Sequence, residues 1–151
     1  MTEEEFRSAI EREALLWVGT PYKNCGRILG VGANCAQLLF GIALGSGAIA
    51  ADSPEPRWYS PQFATHQREE RLISYVLAYG AAEIEESQLK RGDIVLYKTG
   101  QSHGHAAIAL DWPDRIIHTL PPSGCQLGRG MEARLAAYTR RYFTLWKGSA
   151  A

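Results

Sequence analysis

Residues 92–119 read GDIVLYKTGQSHGHAAIALDWPDRIIHT. GDIVLYK, GHAAIAL and RIIHT are short and rich in aliphatic residues, and Asp111-Trp-Pro-Asp114 has the composition of a turn. RRYFTLW (140–146) reads as a further strand. Upstream of Lys90 the period is helical. Thr2 and Glu5 form a capping box, and Phe6, Ile10, Ala14, Trp17 and Val18 follow at helical spacing until Gly19 and Thr20-Pro21 stop the helix. CAQLLFGIAL (35–44) is a compact apolar helix with Asn34 as its N-cap, preceded by a glycine-bearing loop from Tyr22. ADSPEPRWYSP (51–61) is an extended surface segment. An amphipathic helix is predicted from about Thr65 to Gly80, with Leu72, Ile73, Val76 and Leu77 on one face. Helices first and strands afterwards predict an α+β domain rather than a doubly wound sheet.

The 151 residues fit a single domain spanning 1–151, with 46% hydrophobic residues to fill one core. Sixteen basic against sixteen acidic residues give no net charge, which argues against a nucleic-acid partner. Ile28–Ala51 carries no charge over 24 residues, yet its glycines and Asn34 and Gln37 favour a loop and a buried helix over a membrane span. The acidic, amphipathic N-terminus does not read as a secretory signal, so synthesis in the cytoplasm without a signal peptide is expected.

Three residues stand out as chemistry: Cys35, His105 and His118. Cys35 opens a helix, where unpaired backbone N–H groups and the positive dipole end favour a thiolate. A lone cysteine is more often a small buried apolar group, and the histidines shift that balance. His105, Ala107 and Ala109 share one strand face. Pairing Leu110 with Arg115 sets His118 opposite Ala107, one diagonal step from His105; a shift of two makes the histidines direct neighbours. Only an odd loop separates them. A cysteine at a helix start, a strand histidine and a polar residue on the next strand make a nucleophile, base and orienter.

WVGTPYKNCGRILGVGANCAQLL resembles the opening of NlpC/P60 domains, in which G-T-P-Y and a Gly-rich loop precede D-C-S-G-L. RGDIVLYKTGQSHGHAAIAL resembles the P-G-D-L-V-F … H-V-G-I-Y-L block of that family, and RIIHT its following I-H-A strand. The likeness runs from about residue 10 to 120 and, through WYSPQFATHQREERL, is strongest to phage-tail and gene-transfer-agent peptidases. The resemblance implies a papain-like α+β fold, with helices carrying the cysteine packed on an antiparallel sheet carrying the histidines. It implies hydrolysis of peptidoglycan stem peptides, with Cys35 as nucleophile, His105 as base, His118 as third residue and Tyr22 near the oxyanion. It implies no cofactor or metal; the partners are the peptidoglycan peptide and, in a virion setting, phage tail proteins. Asn34, Ala36 and Gln37 depart from the usual Asp, Ser and Gly, and Asn24-Cys25 from the usual aromatic-Gly.

Other readings stand beside this one. Cys25 is a second candidate thiol or a disulfide partner for Cys35, and Cys125 packs or caps at a strand end. His103 and His105, read as sharing a strand face, with Cys35 would be zinc ligands, or His103 a loop residue at the mouth of the site. His66, at a helix start, is solvated or meets substrate; Arg57 and Trp58 meet an acidic peptide or glycan, or pack. Arg140-Arg141 is read as an edge-strand charge pair. A tail assembly component with little or no hydrolysis, and an acyltransferase on a related scaffold, are the rival functions.

Overall fold

The computed structural model describes residues 1–57 and 63–148. Helix α1 (Glu3–Leu16) starts at the expected capping box, with the Thr2 hydroxyl accepting the Glu5 N–H and the Glu5 carboxylate accepting the Thr2 N–H. A two-stranded hairpin, β1 (Arg27–Ile28) and β2 (Gly32–Ala33), precedes α2 (Cys35–Gly45). The helix predicted from Thr65 is two pieces, α3 (Phe63–His66) and α4 (Arg71–Ala78). Between them Gln67–Glu69 are exposed and offer no apolar face to hold a helix against the sheet. His66 therefore ends a short helix rather than starting a long one.

Strands β3 (Ala82–Ile84), β4 (Ile94–Lys98), β5 (His103–Asp111), β6 (Arg115–Leu120), β7 (Gly124–Gly128) and β8 (Arg140–Thr144) form one antiparallel sheet, ordered β3-β8-β4-β5-β6-β7. The helices cover one face. Ile10, Ile42, Leu72 and Val76 pack there on Ile94, Leu96, Ile108, Ile117 and Phe143, all buried. Trp17 joins this core from the turn after α1 and lies so close to Gly41 that a Cβ there would sit 2.7 Å from its ring. Arg7 ties α1 to the sheet. Its guanidinium donates to Asp93 Oδ1 at 2.9 Å and accompanies a buried carboxylate that also accepts the Lys90 N–H at 2.8 Å. The far face carries a smaller cluster of Val95, Tyr97, Ala107, Ala109, Ile116, Leu135 and Tyr142.

Several expectations are corrected. Val18 and Leu77 are exposed, because α1 ends before Val18 and Leu77 turns off the face shared by Leu72, Ile73 and Val76. Arg140 and Arg141 lie in an interior strand, since β3 pairs outside β8. Arg141 donates twice to Glu83 of that outer strand, at 2.8 and 2.7 Å, and Arg140 bonds Tyr142 and the Tyr138 carbonyl. Leu110 does not pair with Arg115. Asp111 does, across a three-residue turn of odd length, and a bulge between Ala109 and Asp111 returns the register to Ala109–Ile116 and Ile108–Ile117. That bulge cancels the odd turn, so His118 falls opposite Ala107 and on the His105 face.

Candidate active site

Cys35 is the first residue of α2. Asn34 caps the helix, its Oδ1 accepting the Gln37 N–H at 3.0 Å, while its amide donates to Asn24 Oδ1 at 3.4 Å. The chain before the helix is strapped to the loop carrying Tyr22. Ala33 donates to the Pro21 carbonyl at 3.0 Å and accepts from the Lys23 N–H at 3.1 Å. Burial raises the pKa of the Tyr22 phenol, and negative charge on Cys35 and Cys25 adds to the rise. Tyr22 therefore stays a hydroxyl donor at neutral pH, within electrostatic reach of the thiol.

The Cys35 thiol donates to the carbonyl of Gly104 at 3.6 Å, so the helix start meets β5 at the residue preceding His105. His105 lies opposite Tyr97, with ring centroids 5.6 Å apart, and belongs to the sheet face away from α2. Its Nε2 is 3.0 Å from Nδ1 of His118, as the shared face predicts, so one hydrogen is held between the two rings. His105 Nδ1 is then the nitrogen left to take a proton from a thiol. Burial, then the neighbouring His118 and Arg134, pushes the His105 pKa down to about 3. Burial lowers His118 as well, against the opposing pull of Glu132. Both rings are neutral near pH 7, the form in which His105 acts as a base. A cavity of about 460 Å³ lined by Thr99, His105, Leu120, Pro121, Arg134 and Tyr138 opens on the base.

His103 is not a companion of His105. A bulge at Tyr97/Lys98 pairs His103 with Lys98 and His105 with Tyr97, neighbours that face opposite sides of the sheet. The His103 backbone N–H donates to Glu70 Oε1 at 2.7 Å, and its Nδ1 lies 2.8 Å from Glu70 Oε2. Among the described residues no three His, Cys, Asp or Glu side chains are grouped to hold a metal. None of the three cysteines is in a disulfide, so Cys25 and Cys35 are not joined. Cys25 sits at φ 59° in its loop, and Cys125 is buried in β7. His66 is exposed; the Arg57 backbone N–H donates to the Tyr75 hydroxyl at 2.7 Å, and Trp58 lies outside the described residues. Gln37 turns from the helix to donate to the Pro56 carbonyl at 3.0 Å, tying the extended segment to α2. Ala36 is buried in the core.

Glu132, Arg134 and Gly128, beside His118, were not legible in sequence. Gly128 ends a strand, β7, whose GCQLG carries no alternation, and Glu132 and Arg134 lie in the irregular segment after it, which the sequence pattern does not connect to the histidines.

No protein-family model matches the chain, and no curated protein matches it. Solved structures do. The NlpC/P60 domain of the peptidoglycan hydrolase SagA superposes with a TM-score of 0.61 at 21% identity, over 89% of this chain and 96% of that one. A protein described as similar to lipoprotein, NLP/P60 family, from Staphylococcus aureus subsp. aureus Mu50 superposes with a TM-score of 0.62 at 19% identity. That match covers 93% of this chain and 42% of the other, so this chain spans less than half of that protein's length. What is shared at such identities is architecture: the chain has the α+β fold of NlpC/P60 domains.

Proposed function

We propose that this chain is a cysteine peptidase that hydrolyses peptide bonds of bacterial peptidoglycan stem peptides. The observation that carries the reading is the meeting of a helix-start thiol with β5 at Gly104, next to a buried His105–His118 pair 3.0 Å apart. Its fold neighbour, by its printed name a domain of a peptidoglycan hydrolase, supports the substrate class. In this reading His105 Nδ1 takes the Cys35 proton and the thiolate attacks the scissile carbonyl. The Tyr22 hydroxyl and the Cys35 backbone N–H donate to the oxyanion. His105 then returns the proton to the leaving amine, and water releases the acyl group. His118 holds the tautomer of His105 throughout. No cofactor enters any step. Delivery by a phage or prophage tail is part of the proposal and rests on the sequence resemblance alone; no helix among the described residues is long and apolar enough to cross a membrane.

The test is digestion of purified peptidoglycan by the wild type and by Cys35→Ala, with the released fragments read by mass spectrometry. New peptide ends from the wild type only are expected, and they name the bond. No new ends from a folded wild type would overturn the peptidase reading in favour of a tail assembly component.

A further inference from the structure

His118 is fully buried, and its Nε2 makes no hydrogen bond among the described residues. The charged oxygen nearest this nitrogen is Glu132 Oε1, at 3.9 Å. A closing of about 1 Å would make a hydrogen bond of ordinary length. Gly128 is what lets the two approach. A Cβ built there would stand 2.9 Å from His118 Nε2 and 3.1 Å from Glu132 Oε2. Gly128 has no positive φ, so space and not backbone conformation is the reason for glycine. Glu132 is itself held in place. Its Oε2 accepts the Arg129 N–H at 3.3 Å and its Oε1 an Arg134 N–H at 3.2 Å; its carbonyl accepts from Leu135 and Ala136.

We propose that Glu132, seated in the window left by Gly128, is the positioning residue that fixes the tautomer of His118 and through it that of His105. The inference rests on the peptidase reading above. A carboxylate only accepts hydrogen bonds, so Glu132 favours a hydrogen on His118 Nε2. His118 Nδ1 is then bare and accepts Nε2–H of His105, which leaves His105 Nδ1 bare for the thiol proton. The reverse arrangement puts a hydrogen on His105 Nδ1 and removes the base. The other groups facing the pair do not make this choice. Tyr97 of β4 lies tilted by 40° against His105 but spends its hydroxyl on the Gly130 carbonyl at 2.8 Å, and Gln126 of β7, the strand partner of His118, makes no hydrogen bond to its Nε2. Arg134 disfavours positive charge on both rings without accepting a hydrogen.

The experiment is ¹⁵N NMR of the full chain labelled at histidine, combined with alkylation of Cys35 by iodoacetamide across pH and with turnover of peptidoglycan fragments. The wild type is expected to carry hydrogens on Nε2 of both His118 and His105. Glu132→Leu, which removes the acceptor, is expected to mix or reverse these tautomers and to lower kcat by about 10–100-fold with KM little changed. Glu132→Gln, which keeps an acceptor oxygen, is expected to recover most of both. A wild-type His118 protonated on Nδ1 overturns the inference whether or not any variant folds. So does a folded Glu132→Leu with wild-type tautomers and alkylation profile. Hydrolysis that survives Cys35→Ala sinks the peptidase reading instead and leaves the tautomer result standing.

Discussion

The two faces of the central sheet are built on different terms. On the helix face, large aliphatic and aromatic side chains fill a continuous core, and the buried ion pair of Arg7 and Asp93 has its hydrogen bonds supplied at both ends. On the far face a smaller cluster surrounds two buried imidazoles, one with a nitrogen lacking a hydrogen-bond partner among the described residues, and a cavity opens on them. Burying polar groups without full satisfaction costs stability; the helix face bears that cost at Trp17, Gln37 and Tyr79, and the far face bears it at a group with acid–base capacity, His118. Cys35 belongs to the first face and meets β5 at Gly104, beside His105. Damage to the far face should abolish chemistry and spare the fold, and damage to the helix face should do the reverse.

The largest effect is expected at the junction. Cys35→Ala should lower turnover of peptidoglycan fragments by at least about 10³-fold, since nothing else supplies the nucleophile. The melting temperature should stay close to wild type, because one sulfur leaves a small void. Activity retained by this variant would break the division at its most direct point.

Next comes the helix face. Arg7→Leu strands the Asp93 carboxylate, which is 1% exposed, with the Lys90 N–H as its remaining partner here. The cost should be about 3–5 kcal/mol, read from urea unfolding. Adding Asp93→Asn to Arg7→Leu should return a substantial part of that loss, since the uncompensated charge and not the missing contact dominates. A double variant no better than the single one would show that packing under α1 sets the cost.

The sequence carried the architecture further than the site. The strands at GDIVLYK, GHAAIAL and RIIHT were legible because aliphatic runs between turn residues leave few other ways to be buried. The capping box of α1 and the Asn34 cap of α2 were legible because they are local. β3, at AEI, was not, since an outer strand with two exposed residues carries no apolar signature. The bulge at Ala109/Asp111 was invisible for another reason: the parity of the His105–His118 pair depends on one residue of slack in a turn, and composition does not count slack. The bulge at Tyr97/Lys98 likewise separated His103 from His105, which strict alternation had put together. Glu132 needed three-dimensional information, because a glycine chosen for room looks the same in sequence as one chosen for a turn.

The far face should also reveal itself through pH. Both imidazoles have lowered pKa values when folded, so the unfolded chain binds protons below about pH 6.5 that the folded chain refuses. Stability is then fully present above about pH 6.5 and falls as pH drops from there toward the folded values. Each ring contributes a slope of up to about 1.4 kcal/mol per pH unit. Urea midpoints at about pH 7, 6 and 5 should decline, and His118→Gln should flatten the decline. An unchanged slope in that variant would place the acid sensitivity outside His118, at His105 or among the carboxylates.

The smallest effect is expected at Gln37, where α2 carries a side chain that the resembled pattern replaces with glycine. Gln37→Ala removes the bond to the Pro56 carbonyl, about 1 kcal/mol, and with it a buried Oε1 lacking a partner among the described residues, a relief of similar size. The two nearly cancel, so global stability should move by less than about 1 kcal/mol. The local result should differ. Residues 51–57 lose a tether to the helix that carries Cys35, so their amides should exchange faster while those of β4 and β5 do not. Faster exchange throughout the sheet would mean that the bond supports the core; none at 51–57 would mean that the Arg57 N–H to Tyr75 bond holds the segment by itself.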